Sequence, residues 1–253
     1  MNATPRPQRR FGQNFLINQG VLDKLIAALD PQPTDTIIEI GPGPGALTGR
    51  LAASDAQVIA VELDRRMIAT LEEQFRNTGN VTLLHHDIVT FDPPPLPAGM
   101  RYQLIGNIPY NISAPILLWL CAHRDQIATA IVTVQREVAH RLTATPNTKA
   151  WGPLSIAVQS TATAQRLFDI QPHSFRPAPK VVSTAVRLAF PIPPPYAIPD
   201  PAALRDLVRT LFTKRRKMLR HSLAANRLLA AGIDPTRRVE TLTIEELLRL
   251  VIV

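Results

Sequence analysis

Five residues, Gly106-Asn107-Ile108-Pro109-Tyr110, close a short apolar run of the kind that forms a buried strand, and their types suit one kind of chemistry. An exocyclic amine such as that of adenine is a poor nucleophile, because its lone pair is delocalised into the ring. The Asn107 side-chain oxygen and a carbonyl from the rigid Ile108-Pro109 turn can accept both amine hydrogens, draw the nitrogen toward tetrahedral geometry and leave its lone pair facing a methyl donor. Tyr110 offers a flat face for a base taken out of its stack. No strong base is needed before attack, since the methylated amine is cationic and loses its proton readily. The motif would act by placement and electrostatics. The plain alternative is a strand that ends in an Asn-containing turn.

A methyl donor needs a site of its own beside that turn. In Glu39-Ile-Gly-Pro-Gly-Pro-Gly45, Gly41 and Gly43 let the backbone pass close to a ligand where a side chain would collide. The pattern also fits a dinucleotide site loosely, and a purely structural strand-turn-helix would account for it too. Glu62 ends the next strand and can accept both hydroxyls of a ribose, because an ionised carboxylate offers two oxygens. Asp87 follows the third strand and can accept from the exocyclic amine of a bound adenine, a group that a dinucleotide site does not call for; by itself it could equally cap a turn. Taken in register, Gly41, Glu62 and Asp87 describe an adenosine laid across the carboxyl ends of adjacent strands. His85 and His86 are set aside as metal ligands, because neighbouring strand residues point to opposite faces, and no metal is expected.

The elements that must position these groups alternate between β-branched runs and helical patterns. Strands are expected at 36–40, 58–62, 81–85, 102–106 and 128–135, with helices near 46–53, 65–76, 114–123 and 136–142. This predicts an α/β fold with a parallel sheet covered on both faces. A further pair, 165–170 and 184–190, is separated by a Pro-rich loop too short for a helical crossover and predicts an antiparallel edge. The prolines of 191–201 mark a stiff connector. The expected division is therefore a domain over 1–195, including a basic arm at 1–16, and a small all-α domain over 196–253. On an unbroken helix Arg205, Arg209, Arg216 and Arg220 would form a basic ridge; a turn within 213–217 would split it.

Length 253, 45% hydrophobic residues and a mean hydropathy of +0.03 describe a globular chain. No apolar run reaches the roughly 18 residues of a membrane span, the N-terminus does not read as a secretory signal, and Cys121 is the single cysteine, so a reducing cytoplasm is expected. Net charge is +8, and residues 201–253 carry 11 Lys+Arg against 5 Asp+Glu. That excess suits a polyanionic partner, or simply a well-solvated helical surface.

Several motifs together give the chain a resemblance that runs almost end to end: Arg10-Phe-Gly-Gln-Asn-Phe-Leu16, Glu39 to Thr48, Val61-Glu-Leu-Asp64, His86-Asp87, Gly106 to Ser113, Gln135-Arg-Glu-Val138, Phe175 to Ser183 and Arg215 to Leu223. The sequence resembles the small-subunit ribosomal RNA adenine dimethyltransferases, the kasugamycin-sensitivity enzymes. The resemblance implies a Rossmann-like class I methyltransferase sheet, with S-adenosylmethionine consumed as methyl donor. It implies dimethylation of two adjacent adenines in a hairpin near the 3' end of 16S rRNA, within an immature small subunit. A monomer is the default expectation and does not come from the resemblance. The resemblance assigns donor contacts to Asn14, Leu16, Gly41, Glu62, Asp87 and Asn107, and base stacking to Tyr110 and Phe175; Gly43 is added to the donor site from its place in the glycine turn. Arg9 and Arg10 would touch phosphate, as would Lys214, Arg215, Arg216, Lys217 and Arg220, while Phe11 and Phe15 would fold the arm over the donor. Without the resemblance, the arm could be a flexible tail and Phe175 an ordinary core aromatic. Val182, Trp151 and His221 stand where the family usually has aspartate, tyrosine and asparagine. Alternative readings are a large-subunit RNA methyltransferase of the macrolide-resistance type, an assembly checkpoint acting mainly by binding, and a dehydrogenase.

Overall fold

The computed structural model describes Pro5 and residues 12–253. Arg9, Arg10 and Phe11, expected to contact phosphate and donor, lie outside the described residues. The chain divides into two units. One runs to Ala139 and resumes with Ala164–Phe190; the other comprises His140–Thr163 and Pro191–Val253.

The first unit begins with a two-residue strand, β1 (Phe15–Leu16), and a helix, α1 (Gln19–Leu29). The sequence reading missed α1, although its signals are present: Asn18 caps it by accepting from the Val21 N–H, and Leu22, Leu25 and Leu29 recur on one buried face. Then come β2 (Thr36–Ile40), α2 (Thr48–Ala52), β3 (Gln57–Glu62), α3 (Arg65–Gln74), β4 (Val81–His85), β5 (Tyr102–Asn107), α4 (Ser113–Ala122), β6 (Ile127–Gln135) and α5 (Arg136–Leu142). Later in the chain lie α6 (Pro153–Gln159), β7 (Thr163–Ile170), β8 (Phe175–Arg176) and β9 (Ser183–Ala189). The strand order is β4-β3-β2-β5-β6-β9-β7. β2 through β6 are parallel, and β9 runs antiparallel to β6, so the expected antiparallel edge is present. Four of the five residues of β2 and the run Ala130–Val134 of β6 are buried, as in a sheet covered on both faces.

Two features of this topology make a site. The chain moves outward from β2 to β3 and β4 and then returns to β5 on the other side of β2, so the order reverses between β2 and β5. Ligands of open parallel sheets bind outside the carboxyl ends at such a point. In addition, β1 pairs antiparallel with β8, Phe15 opposite Arg176 and Leu16 opposite Phe175, which brings the N-terminal segment to the same end of the molecule.

The second unit has its own core. It contains α6, α7 (Pro201–Thr213), α8 (Ala225–Ala230) and α9 (Ile244–Ile252). Trp151 and Ile156 are buried with Leu204, Leu211, Leu247 and Leu250, and the Trp151 indole donates to the Leu242 carbonyl at 3.1 Å. The expected boundary after residue 195 is thus corrected in two ways. The break comes at Pro191, and His140–Thr163 belongs with the helical unit, because its apolar residues find their burial there. The basic ridge is also corrected. α7 ends at Thr213 and a turn follows, so Arg205 and Arg209 are not continued along one helix by Arg216 and Arg220.

Candidate active site

A cavity of about 340 Å³ opens at the carboxyl ends of β2, β3 and β5. Its lining includes Gly41, Gly43, Glu62 and Asp87 on one side and Asn107, Ile108, Pro109 and Tyr110 on the other, with residues 12–15 over both. The donor-side and base-side residues read from the sequence therefore face one space. Gly41 sits at the turn after β2 with φ +61, and a Cβ there would meet nothing within 4 Å, so the backbone borders open cavity.

Glu62 is 6% exposed. One carboxylate oxygen accepts from the Gly43 N–H at 3.1 Å and the other from the Asp64 N–H at 2.8 Å. Burial pushes its carboxyl above the usual range, and these backbone donors work against that shift. An ionised carboxylate has about four acceptor positions, so these backbone donors leave capacity for a ligand hydroxyl. Asp87 does cap the turn that follows it, accepting from the Val89 N–H at 3.0 Å through one oxygen, and it is also among the residues that line the cavity. The cap and the binding reading are compatible. A vicinal diol at Glu62 and an amine at Asp87 fit a nucleoside seated across β3 and β4.

Asn107 ends β5, and its side-chain amide donates to the Asn14 carbonyl at 2.7 Å. A carbonyl only accepts, so the NH₂ group faces Asn14 and Oδ1 is the atom left to accept from a substrate. The Pro109 carbonyl is engaged by the Ile112 N–H at 3.2 Å, which leaves the Ile108 carbonyl as the second acceptor of the turn. The Tyr110 hydroxyl lies 2.5 Å from Ser183 Oγ on β9, so its ring is held at both ends, and burial raises its phenol against the opposing effect of Ser183.

Leu16 and Phe175 are placed differently. Both are buried in the core beside α1, with Phe175 3% exposed, and neither lines the cavity. Among the described residues, the aromatic of the N-terminal segment that reaches the cavity is Phe15, whose ring lies against Gly43. Gln13, Asn111 and Ile112 also line it and were not singled out from sequence, although all three fall inside the quoted motifs. His85 and His86 do not converge: the first ring contacts the Leu63 carbonyl and the second its neighbour's carbonyl and Phe91.

In the helical unit, Lys214, Arg216, Lys217 and Arg220 are exposed, with the Lys214 ammonium donating to the His221 carbonyl at 2.8 Å. Arg215 is only half-exposed beside them. Its guanidinium donates to Glu240 at 2.7 Å and to the Thr148 and Lys149 carbonyls, so it braces the unit internally. Arg238, exposed and beside Met218 across a strand-like bridge, extends the basic surface instead.

Behind the cavity, Glu39 is 1% exposed and accepts from the Thr48 hydroxyl at 2.7 Å. Burial, reinforced by the nearby Glu62, pushes its carboxyl up to about 8. Between the ordinary glutamate value and about 8 the folded chain therefore holds a proton that the unfolded chain has released, so stability falls as pH rises through that window. Glu39→Gln keeps an acceptor for Thr48 and cannot ionise. Its thermal midpoint should decline less steeply from pH 5 to 8 than that of the parent chain, the remaining slope including that of Glu62; parallel slopes in melts across that range would refute the assignment.

The family model described as "Ribosomal RNA adenine dimethylase" matches residues 6–253. The chain is 39% identical over 248 residues to the ribosomal RNA small subunit methyltransferase A of Methylococcus capsulatus, covering 95% of each, and 41% identical over 254 residues to that of Burkholderia pseudomallei, covering 96% of this chain and 91% of the other. Among solved structures, the 23S rRNA methyltransferase ErmE superposes with a TM-score of 0.70 at 27% identity over 94% of this chain and 98% of the other. A dimethyladenosine transferase from Plasmodium falciparum superposes with a TM-score of 0.79 at 24% identity, covering 93% of this chain and 95% of that one.

Proposed function

Because the chain belongs to the ribosomal RNA adenine dimethylase family, we propose that it uses S-adenosylmethionine to dimethylate two adjacent adenines in a hairpin near the 3' end of 16S rRNA, during small-subunit assembly. One observation carries this reading: the acceptor oxygen of Asn107 and the nucleoside-binding carboxylates Glu62 and Asp87 border the same cavity. Bound there, the donor supplies a methyl group on a positively charged sulfur. Glu62 takes its ribose hydroxyls, Asp87 its adenine amine, and the glycine turn at Gly41 admits its backbone-facing edge. On the other side, Asn107 Oδ1 and the Ile108 carbonyl accept the two hydrogens of the target amine, aiming its lone pair at the methyl carbon. Tyr110 would stack on the extruded base; as the nitrogen–methyl bond forms, the sulfur–methyl bond would break and the donor leave as a neutral thioether, and the methylated nitrogen would give its proton to solvent.

The partner in this reading is an immature small subunit. The cations at 214, 216, 217 and 220, joined by Arg238, would meet phosphates and position the enzyme, while the cavity reads the flipped base. We take the protein to act as a monomer in the cytoplasm; among the described residues no helix is long and apolar enough to cross a membrane.

The likeness to ErmE favours a second reading, with 23S rRNA as substrate. The higher identity to small-subunit enzymes over nearly the whole chain weighs against it. Incubating the protein with labelled donor and either unmethylated small subunits or 23S rRNA, then mapping modified nucleotides, decides between them. Dimethyladenosine at paired positions in 16S rRNA is the expected result, and label confined to 23S rRNA would overturn the first reading.

A further inference from the structure

Residues 12–16 lie across the cavity and are tied down on both sides. Gly12, Gln13, Asn14 and Phe15 line it, Leu16 pairs with Phe175, and the Ile17 N–H donates to the Ser174 carbonyl at 2.8 Å. Gly12 has φ +60, and a Cβ there would fall 2.4 Å from the Asn111 side-chain oxygen, so the segment is seated closely. The other anchor is Gln13, whose side-chain amide donates to Asp64 Oδ2 at 3.2 Å.

Asp64 is well suited to hold such an anchor. It is 3% exposed, accepts from the backbone N–H of Arg66 to cap α3, and receives the Arg66 guanidinium at 2.5 Å, which holds its carboxyl below the usual range. It therefore offers a fixed, ionised acceptor, and hydrogen bonds to ionised groups are the stronger ones. It is also two residues from Glu62, which accepts its N–H. One short run after β3 thus fixes the donor side of the cavity and the segment laid over it.

That segment carries the Asn14 carbonyl, and the Asn14 carbonyl decides which end of the Asn107 amide meets the substrate. If the segment shifts, the amide loses the partner that keeps its NH₂ group away from the target. An amide turned the wrong way would set two donors against an amine that must itself donate. We propose that Gln13 is a positioning residue for methyl transfer: through Asp64 it holds residues 12–16 so that the Asn14 carbonyl keeps Asn107 Oδ1 facing the amine. This rests on the function proposed above.

The test compares four proteins in single-turnover methylation of unmethylated small subunits: the parent chain, Gln13→Ala, Gln13→Glu and the pair Gln13→Glu with Asp64→Asn. The last reverses the amide and the carboxylate, and asparagine still caps α3. Gln13→Ala should lower the rate about 10- to 100-fold, the scale expected for misplacing a reacting group by about an ångström, with KM for subunits changed less than about threefold. Gln13→Glu should fall at least as far, through repulsion from Asp64, and the reversed pair should recover most of the loss. Thermal melts confirm that each variant is folded. A rate for Gln13→Ala within about twofold of the parent would overturn the proposal, as would a folded reversed pair no faster than Gln13→Glu alone. A parent chain that leaves small-subunit adenines unmodified would instead overturn the proposed function.

Discussion

Asn107→Ala lowers the rate of methyl transfer by at least about 100- to 1000-fold while leaving the folded chain and its binding to small subunits intact. The substitution removes one of two acceptors aimed at the amine and also the tie to the Asn14 carbonyl. Removing a single preorganised hydrogen-bonding group from a catalytic site costs on that scale, and here the turn loses half of its grip on the nucleophile. Asn107 is only half-buried at the end of β5, so no large core void follows. Rapid-quench methylation together with a subunit-binding assay reads the two effects apart. Retained turnover would remove Asn107 from the chemistry. The same variant also addresses whether occupancy of the subunit matters more than its modification: cells carrying it would then assemble subunits like the parent strain.

The second large effect is on donor affinity. Glu62→Ala should weaken it by about two to four orders of magnitude, because two hydrogen bonds to an ionised group are lost, each worth about 1.5–3 kcal/mol. The Gly43 and Asp64 N–H groups lose their acceptor as well. A pH dependence follows with a definite sign. The ionised carboxylate can accept both hydroxyls, whereas the protonated acid cannot. Since burial raises the Glu62 carboxyl, affinity should already decline at a pH where an ordinary glutamate would remain ionised, and it should recover as pH rises. In Glu62→Gln the affinity should be flat with pH, weaker than that of the parent at the high end of the range and approaching it at the low end. Calorimetric titration of S-adenosylmethionine from pH 5 to 8 tests both, and a parent profile as flat as that of the glutamine variant would remove Glu62 from donor binding.

Much of the first unit could be read from local pattern. β2 and β4 begin and end where their apolar runs do, and the groups at 41, 62, 87 and 107–110 stand at strand ends, where periodicity alone locates them. What was not legible depends on partners distant in sequence. Gln13 meets Asp64 across 51 residues and Asn107 meets Asn14 across 93. Nothing local distinguishes Gln13 from any polar residue in an arm. Likewise Phe175 fits both a stacking role and a core role, and only its pairing opposite Leu16 puts it in the core. Arg215 looked like its cationic neighbours until Glu240 and two carbonyls from 148–149 were found around it. α1 is the exception: its cap and its leucine spacing were in plain view.

The helical unit draws on two separate stretches of chain, and this bears on how such proteins can be recombined. Trp151 and Ile156 come from the middle of the polypeptide, yet their shelter is supplied by helices encoded some fifty residues later. A chimaera spliced once, near residue 190, would join the tail of one relative to the indole of another and mismatch a buried surface. Moving this part between family members therefore calls for a paired graft with both stretches from the same parent.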